Sequence, residues 1–453
     1  MKARMPKSGT IARAALMCGA ILGGLALSPA AAQQLEGPYP CQNLEFARPS
    51  PTDPLGTLTQ GQSGYFFRTD PDLNWGFFIS DEVNNLIRDL TSELKARGTE
   101  LVLLPIPPRG LIAQNFVDFN QDRSPILSIS EGGWMFDSYI QDLRKSGAVV
   151  PNLMDALRVD PGQAPLFYFK RDVHWRPEGA RFTAAQVAEE LRQNGALTGL
   201  MASGFQTSVI GENQFKGVIA QAAQQHCTQN LPPERYSEYV TKPMATGVGF
   251  GNTEGAVVLV GGSFSADERL NFAGFLSQSL GLPVANHASA SLREFNSIEA
   301  YLSSPEFHAR PPKVLIWELQ AAFDLNYARN DLRQLITATA ANCQNNSIAR
   351  VENASGSAGG ITQLDVPSAQ NVTGRDHYVQ VSTSNPAMNN FVVSVAYQDG
   401  DSEWIPVERS GRFDNSGIYY ISLSQETTSP VVGITLEQLS ETPASTRVEL
   451  CRK

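Results

Sequence analysis

The chain has 453 residues, 42% of them hydrophobic, with 35 Lys and Arg against 45 Asp and Glu. A length and apolar content of this order can fill large cores in two or more domains. The acidic balance argues against nucleic acid as a partner and against simple electrostatic capture of a polyanion, so any acidic polymer must be met by a local basic groove.

The first 32 residues read as a cleaved secretory signal peptide. Lys2, Arg4, Lys7 and Arg13 precede an apolar run from Ala14 to Leu27, and Ala30, Ala31 and Ala32 supply the small-residue cleavage pattern. That run is too short to span a bilayer comfortably, and no later stretch is long and apolar enough to cross one. Its removal leaves 31 basic against 45 acidic side chains, a net charge of −14, on a mature chain expected to be soluble and exported.

Residues 33–342 alternate helices and strands. Val83, Leu86, Ile87, Leu90 and Leu94 share one face of a helix expected over Asp81 to Arg97, with Ser80 as N-cap and Gly98 as its stop. A buried strand, LVLLPI from Leu101 to Ile106, leads into Pro107, Pro108, Arg109 and Gly110. Further on, RDVHWRPEG at Arg171 to Gly179 places Asp172 two residues before His174, with Pro177 at a helix start. The run AVVLVGGSFS from Ala256 to Ser265 carries an apolar strand into Gly261, Gly262 and Ser263, and a helix is expected from Asp267 to Leu280. Strands at Pro283 to Asn286 and Lys313 to Leu319 complete the set. Continuous apolar strands separated by amphipathic helices indicate an α/β fold, a mostly parallel sheet with both faces covered. Functional groups in such sheets gather beyond the carboxyl ends of the strands, where Ser263, the Arg109 loop and Glu318 fall.

Residues 343–453 change character, becoming rich in Ser, Thr, Val, Asn and Gly. Short runs at Phe391 to Tyr397, Gly417 to Leu423 and Val431 to Leu436 are separated by turn signals such as Asp399-Gly400-Asp401 and Asn415-Ser416-Gly417, which predicts a β-sandwich. It is either a structural module or a carbohydrate-binding one. In the second case Trp404, Arg375, His377, Tyr419 and Tyr420 are the sugar-contacting candidates, although aromatic residues serve as often in a core.

Cys18 leaves with the signal peptide, and Cys41, Cys227, Cys343 and Cys451 remain, an even count that suggests two disulfides in an exported chain. Of three possible pairings, Cys41–Cys227 and Cys343–Cys451 close each bridge within one domain. No two of these cysteines have zinc-site spacing, and none of His174, His226, His287, His308 and His377 falls in a metal-binding pair, so neither a metal nor a cofactor is expected.

Ser263 is the candidate nucleophile. In the plainer reading it only caps the following helix, because GGSFS lacks the closing glycine of the G-x-S-x-G elbow. Asp172 and His174 can likewise be a surface pair without chemistry. Together, however, the three side chains supply a nucleophile, a general base and the carboxylate that orients it. The Ser263 N–H is one candidate oxyanion donor, and Gly262, Asn286, Asn296 and Arg293 are candidates for the second, with Arg109 as a further substrate contact.

At FKRDVHWRPEGA, GGSFS and LVLLPIPPRGLIA the chain resembles the alginate O-acetyltransferase AlgX family. The resemblance spans roughly Cys41 to Ala340. It implies an SGNH hydrolase-like fold with permuted motif order, a Ser263-His174-Asp172 triad, and a carbohydrate-binding module at the C-terminus. It also implies periplasmic O-acetylation of an alginate-like exopolysaccharide, with acetyl groups supplied by a membrane-bound acyltransferase system beside export-complex proteins. Two other classes stay open: a carbohydrate esterase with the same triad, and a non-enzymatic polysaccharide-binding assembly protein.

Overall fold

The computed structural model describes residues 36, 38–47, 57–120, 128–244, 255–290, 294–353, 360–367, 371–409, 416–439 and 445–453. The expected signal peptide, Arg293 and the turn signal at Asn415 lie outside the described residues.

Among the described residues, eight strands precede residue 321: β1 (Leu58–Gln60), β2 (Phe66–Arg68), β3 (Glu100–Ile106), β4 (Phe205–Phe215), β5 (Glu234–Pro243), β6 (Val257–Val260), β7 (Val284–Asn286) and β8 (Val314–Gln320). Four of them build a parallel sheet in the order β3-β8-β6-β7. Their near-continuous apolar runs fit a sheet covered on both faces, and all four residues of β6 are buried. Each such valine or leucine contributes about 1.5–3 kcal/mol on burial. The Asp81–Ala96 helix packs on the Arg329–Ala340 helix and on β3, while the Pro177–Gln193 helix packs on Phe272–Leu280, which also touches β7.

Local chemistry sets the helix ends. Ser80 Oγ accepts from Val83 N, and Gly98 takes a left-handed φ of 80° just past the helix that starts at Asp81. The helix expected from Asp267 to Leu280 is instead two pieces, a short turn at Glu268–Leu270 and a helix at Phe272–Leu280. Asp267 accepts from Arg269 N, and Asn271 adopts φ 52° between the pieces. Asp and Asn favour such local bonds and left-handed backbone over helix continuation.

The C-terminal strands are β9 (Ser347–Asn353), β10 (Ile361–Asp365), β11 (His377–Thr383), β12 (Asn390–Tyr397), β13 (Ser402–Glu408), β14 (Ile418–Ser422), β15 (Val431–Gln438) and β16 (Thr446–Arg452). They form two antiparallel four-stranded sheets, β10-β15-β12-β13 and β14-β11-β16-β9, around a core that includes Val379, Phe391, Tyr419, Ile434 and Leu450. This part is joined to the α/β part within one compact unit, Glu36–Lys453. The Arg329–Ala340 helix packs on β14, Gln334 Oε1 accepts from Ser422 N, and the buried Arg409 donates to Glu299 and Ser303. Disulfides join Cys41 to Cys227 and Cys343 to Cys451. Among the described residues no helix is long and apolar enough to cross a membrane.

Candidate active site

The carboxyl end of β6 delivers Ser263 as the first residue of a one-turn helix, Ser263–Ala266. Opposite it, residues 169–175 run as an irregular segment held from three sides. Arg109 donates to the carbonyls of Phe169 and Lys170 at 2.7 and 3.0 Å, and Glu234 accepts from Lys170 N and Arg171 N, both at 2.8 Å. Trp175, wholly buried, donates its indole N–H to the Phe264 carbonyl at 3.1 Å.

This scaffold places His174 Nε2 2.8 Å from Ser263 Oγ and His174 Nδ1 2.6 Å from Asp172 Oδ1. An ionised carboxylate only accepts, so Nδ1 carries the ring proton and Nε2 is left to accept from the serine hydroxyl. Asp172 Oδ1 also accepts from His174 N at 3.0 Å, and Oδ2 accepts from Val218 N at 2.8 Å. Burial pushes the Asp172 carboxyl up, but these bonds and the charge of His174 outweigh it and hold the group below its usual range. Its side chain is 2% exposed, that of His174 15%.

Two glycines make the close approaches possible. A Cβ on Gly217 would stand 2.4 Å from Arg171 O and 2.8 Å from Asp172 Oδ2, so only glycine lets Val218 N reach the carboxylate. A Cβ on Gly261 would meet Glu318 Oε2 at 2.6 Å. Gly262, by contrast, has extended backbone at φ −93° and no atom within 3.8 Å of a Cβ, so neither turn geometry nor crowding demands glycine there.

Several expected roles are corrected. Arg109 is 1% exposed and its two terminal guanidinium nitrogens donate to Asp72, Phe66 O, Phe169 O and Lys170 O, so it builds the His174 segment rather than presenting a surface contact for substrate. The Gly262 N–H donates to Glu318 Oε2 at 2.9 Å and is therefore not free for an oxyanion. Asn286 is likewise committed, donating to Ser265 O while accepting from Ala288 N. Asn296 is buried at the start of the Asn296–Leu302 helix, next to Ser297, whose Oγ accepts from Gly261 N. Arg293 lies outside the described residues. The Ser263 N–H, at a first helical position with no intrahelical acceptor, stays in place as a donor. His308 stands apart from this relay, half-buried against Phe307 and Tyr420, and burial, with Arg97 nearby, pushes its pKa down to about 4.

In the sandwich, two of the sugar-contact candidates point inward. Tyr419 is wholly buried and donates to Met388 O, and His377 is 5% exposed with Nδ1 against Thr373. Tyr420 is half-buried against His308 and Tyr378. Trp404, 67% exposed on β13, and the exposed Arg375 remain on the surface. Trp404 faces out opposite Ser394 of β12, on a sheet face that also carries Glu437 and Asp365.

The importance of Glu318, Gly217 and the Trp175–Phe264 bond is not visible in local motifs. Only Glu318 had a signal, its place at the end of an apolar strand.

A family model described as SGNH hydrolase-like domain, acetyltransferase AlgX, matches residues 58–321. The chain is 27% identical over 372 residues to the alginate biosynthesis protein AlgX of Pseudomonas aeruginosa, covering 82% of this chain and 77% of that protein. It is 28% identical over 264 residues to the probable alginate O-acetylase AlgJ of Pseudomonas syringae pv. tomato, covering 56% and 64% respectively. Among solved structures, P. aeruginosa AlgX superposes with a TM-score of 0.75 at 25% identity, over 87% of this chain and 94% of that one. The O-acetyltransferase domain of Pseudomonas putida AlgJ shares the fold, with a TM-score of 0.50 at 22% identity over 62% of this chain and 98% of the other. With more than half of its length matched by the family model, this chain belongs to the family of the SGNH hydrolase-like AlgX acetyltransferase domain.

Proposed function

We propose that this protein is an O-acetyltransferase that moves acetyl groups onto hydroxyls of an alginate-like polysaccharide through an acetyl-Ser263 intermediate. The observation that carries the reading is the hydrogen-bonded relay Ser263-His174-Asp172, 2.8 and 2.6 Å between partners, in a chain of this family.

His174 Nε2 takes the Ser263 proton as Oγ attacks the acetyl carbonyl carbon. The tetrahedral intermediate collapses, the donor's leaving oxygen receives that proton from His174, and acetyl-Ser263 remains. A sugar hydroxyl then gives its proton to His174 and attacks the acetyl carbon, after which Ser263 Oγ leaves and regains the proton. Asp172 keeps Nδ1 protonated throughout and stabilises the imidazolium. The Ser263 N–H serves the oxyanion, and loss of a donor of this kind costs ~10²- to 10³-fold in rate.

The rest of the proposal follows the family. Residues 1–32 direct the chain to the periplasm, residues 33–342 hold the chemistry, and residues 343–453 bind sugar with Trp404 and Arg375 as surface contacts. The acetyl donor comes from a membrane-bound acyltransferase system, and polysaccharide export proteins are the partners. The disulfides suit an oxidising compartment.

The experiment is mass spectrometry of purified protein after brief exposure to p-nitrophenyl acetate, followed by a chase with mannuronate oligosaccharides. One acetyl group on Ser263 that moves to sugar is the expected result. Loss of that acetyl only to water would favour an esterase, and no capture at all would favour a binding protein.

A further inference from the structure

Behind the Ser263 turn lie two acidic side chains that the proton relay does not use. Parallel register pairs Val260 of β6 with Trp317 of β8, so the next residue, Gly261, falls beside Glu318. Glu318 is wholly buried, and its Oε2 accepts from Gly262 N at 2.9 Å and from Ser265 Oγ at 3.0 Å. These two bonds bracket Ser263. The other oxygen, Oε1, is buried with no hydrogen-bond partner among the described residues. Glu294 approaches from the segment before the Asn296–Leu302 helix, and its Oε1 accepts from Gln320 Nε2 at 3.4 Å. The position that a Cβ would take on Gly262 is 3.8 Å from Glu294 Oε2 and 3.9 Å from Glu318 Oε2, so the two carboxyls flank the same point.

Neither carboxyl forms an ion pair among the described residues. Arg68 acts on Glu294 from a distance, but its guanidinium is bonded to Asp72. The other titratable or charged groups facing this pocket are Tyr168, with Asp72 and Arg109 behind it, and His174 and Asp172 across the turn. A buried acid and a half-buried one beside it, neither with an ion-pair partner, cannot both ionise cheaply. Burial, and then Glu294, pushes Glu318 up to about 8, while burial pushes Glu294 up to about 7 against the pull of Arg68.

We propose that Glu318 is a positioning residue for acyl transfer: its neutral carboxyl clamps the Gly262–Ser265 turn through Oε2, and ionisation of the Glu318–Glu294 pair places negative charge behind the developing oxyanion and sets an alkaline limit on turnover. The proposal rests on the acyl-transfer reading above. A neutral acid accepts the two bonds that shape the turn without opposing charge on the attacked carbonyl oxygen. An ionised one repels that oxygen from within a water-poor site, where Coulomb effects are weakly screened.

The test measures kcat and KM for p-nitrophenyl acetate from about pH 5 to about pH 10 in wild type, Glu318→Leu, Glu318→Gln and Ser263→Ala. Wild type is expected to lose rate on the alkaline side. Glu318→Leu, which has no acceptor for the turn, should lower kcat by ~10- to 100-fold with KM little changed. Glu318→Gln keeps a carbonyl acceptor that cannot ionise, so it should recover most of that loss and remove the alkaline fall. An alkaline limb that is identical in wild type and Glu318→Gln would overturn the proposal even if Glu318→Leu fails to fold. Full turnover in Ser263→Ala would instead remove the serine reading beneath it, a result that the Glu318 variants cannot produce.

Discussion

Trp175 Nε1 donates to the Phe264 carbonyl at 3.1 Å, and each of these residues directly follows one partner of the His174–Ser263 hydrogen bond. The bond ties the two motifs together one residue away from the chemistry. His174 and Ser263 are 89 positions apart in the chain, so their 2.8 Å contact depends on how firmly their neighbours are joined.

Trp175→Phe keeps a ring in the core but removes that donor. The expected cost is about 1–3 kcal/mol of stability from the weakened buried carbonyl. A slipped relay should also lower kcat by ~10- to 100-fold with KM nearly unchanged. Urea unfolding together with acetyl-transfer kinetics checks both parts.

Asp172→Asn should leave the fold in place and lower kcat by ~10⁴-fold, because the amide favours the wrong histidine tautomer. The native carboxyl lies below its unfolded value of 3.8, so its stabilisation is present above that value and is lost as pH falls through the lower native one. Acid unfolding curves of the variant should lack this component. Equal acid sensitivity in the two proteins would contradict it.

Arg109→Met leaves Asp72 buried with one of its two guanidinium partners gone. A loss of about 3–5 kcal/mol is expected, with the His174 segment released from its carbonyl anchors. If Arg109 instead contacted substrate, the variant would fold normally and raise KM, which thermal melting and kinetics together would reveal.

The Glu318–Glu294 pair predicts a stability trend as well. Both native values lie above the unfolded value of 4.5, so the folded protein holds more protons than the unfolded chain at neutral pH. Stability from this pair is full below about 4.5 and is lost as pH rises through about 7 to about 8, at up to about 1.4 kcal/mol per pH unit for each extra proton held. Thermal melting of Glu318→Gln across this range should show a flatter decline than wild type.

Trp404→Ala removes an exposed ring from β13 and should change stability by less than about 0.5 kcal/mol. If the sandwich binds sugar there, the variant should lose retention on an immobilised alginate column while keeping its rate with p-nitrophenyl acetate. Undiminished retention would remove Trp404 from the proposed surface.

Elements with strong local patterning were legible in advance. The apolar runs at Leu101–Ile106, Val257–Val260 and Val314–Leu319 are strands of one parallel sheet, and Ser80 and Gly98 bound the Asp81–Ala96 helix. The Asp267–Leu280 segment misled because its apolar spacing continues past Asn271, whose left-handed backbone breaks the helix.

What the sequence by itself determined was therefore the apolar strands of the parallel sheet, the strand-to-turn entry of Ser263, and the Asp172–His174 pair, whose two-residue spacing makes their hydrogen bond a local event. Only the tertiary structure decided which side chains meet across long separations and which way they face. Tyr419, His377 and Arg109 are residue types suited to binding that packing turned inward, while Glu318, Gly217 and Trp175 became parts of the site because other segments approach them. The physical reason is that secondary-structure propensity acts over a few neighbouring residues, whereas burial and partnership are properties of contacts between distant ones.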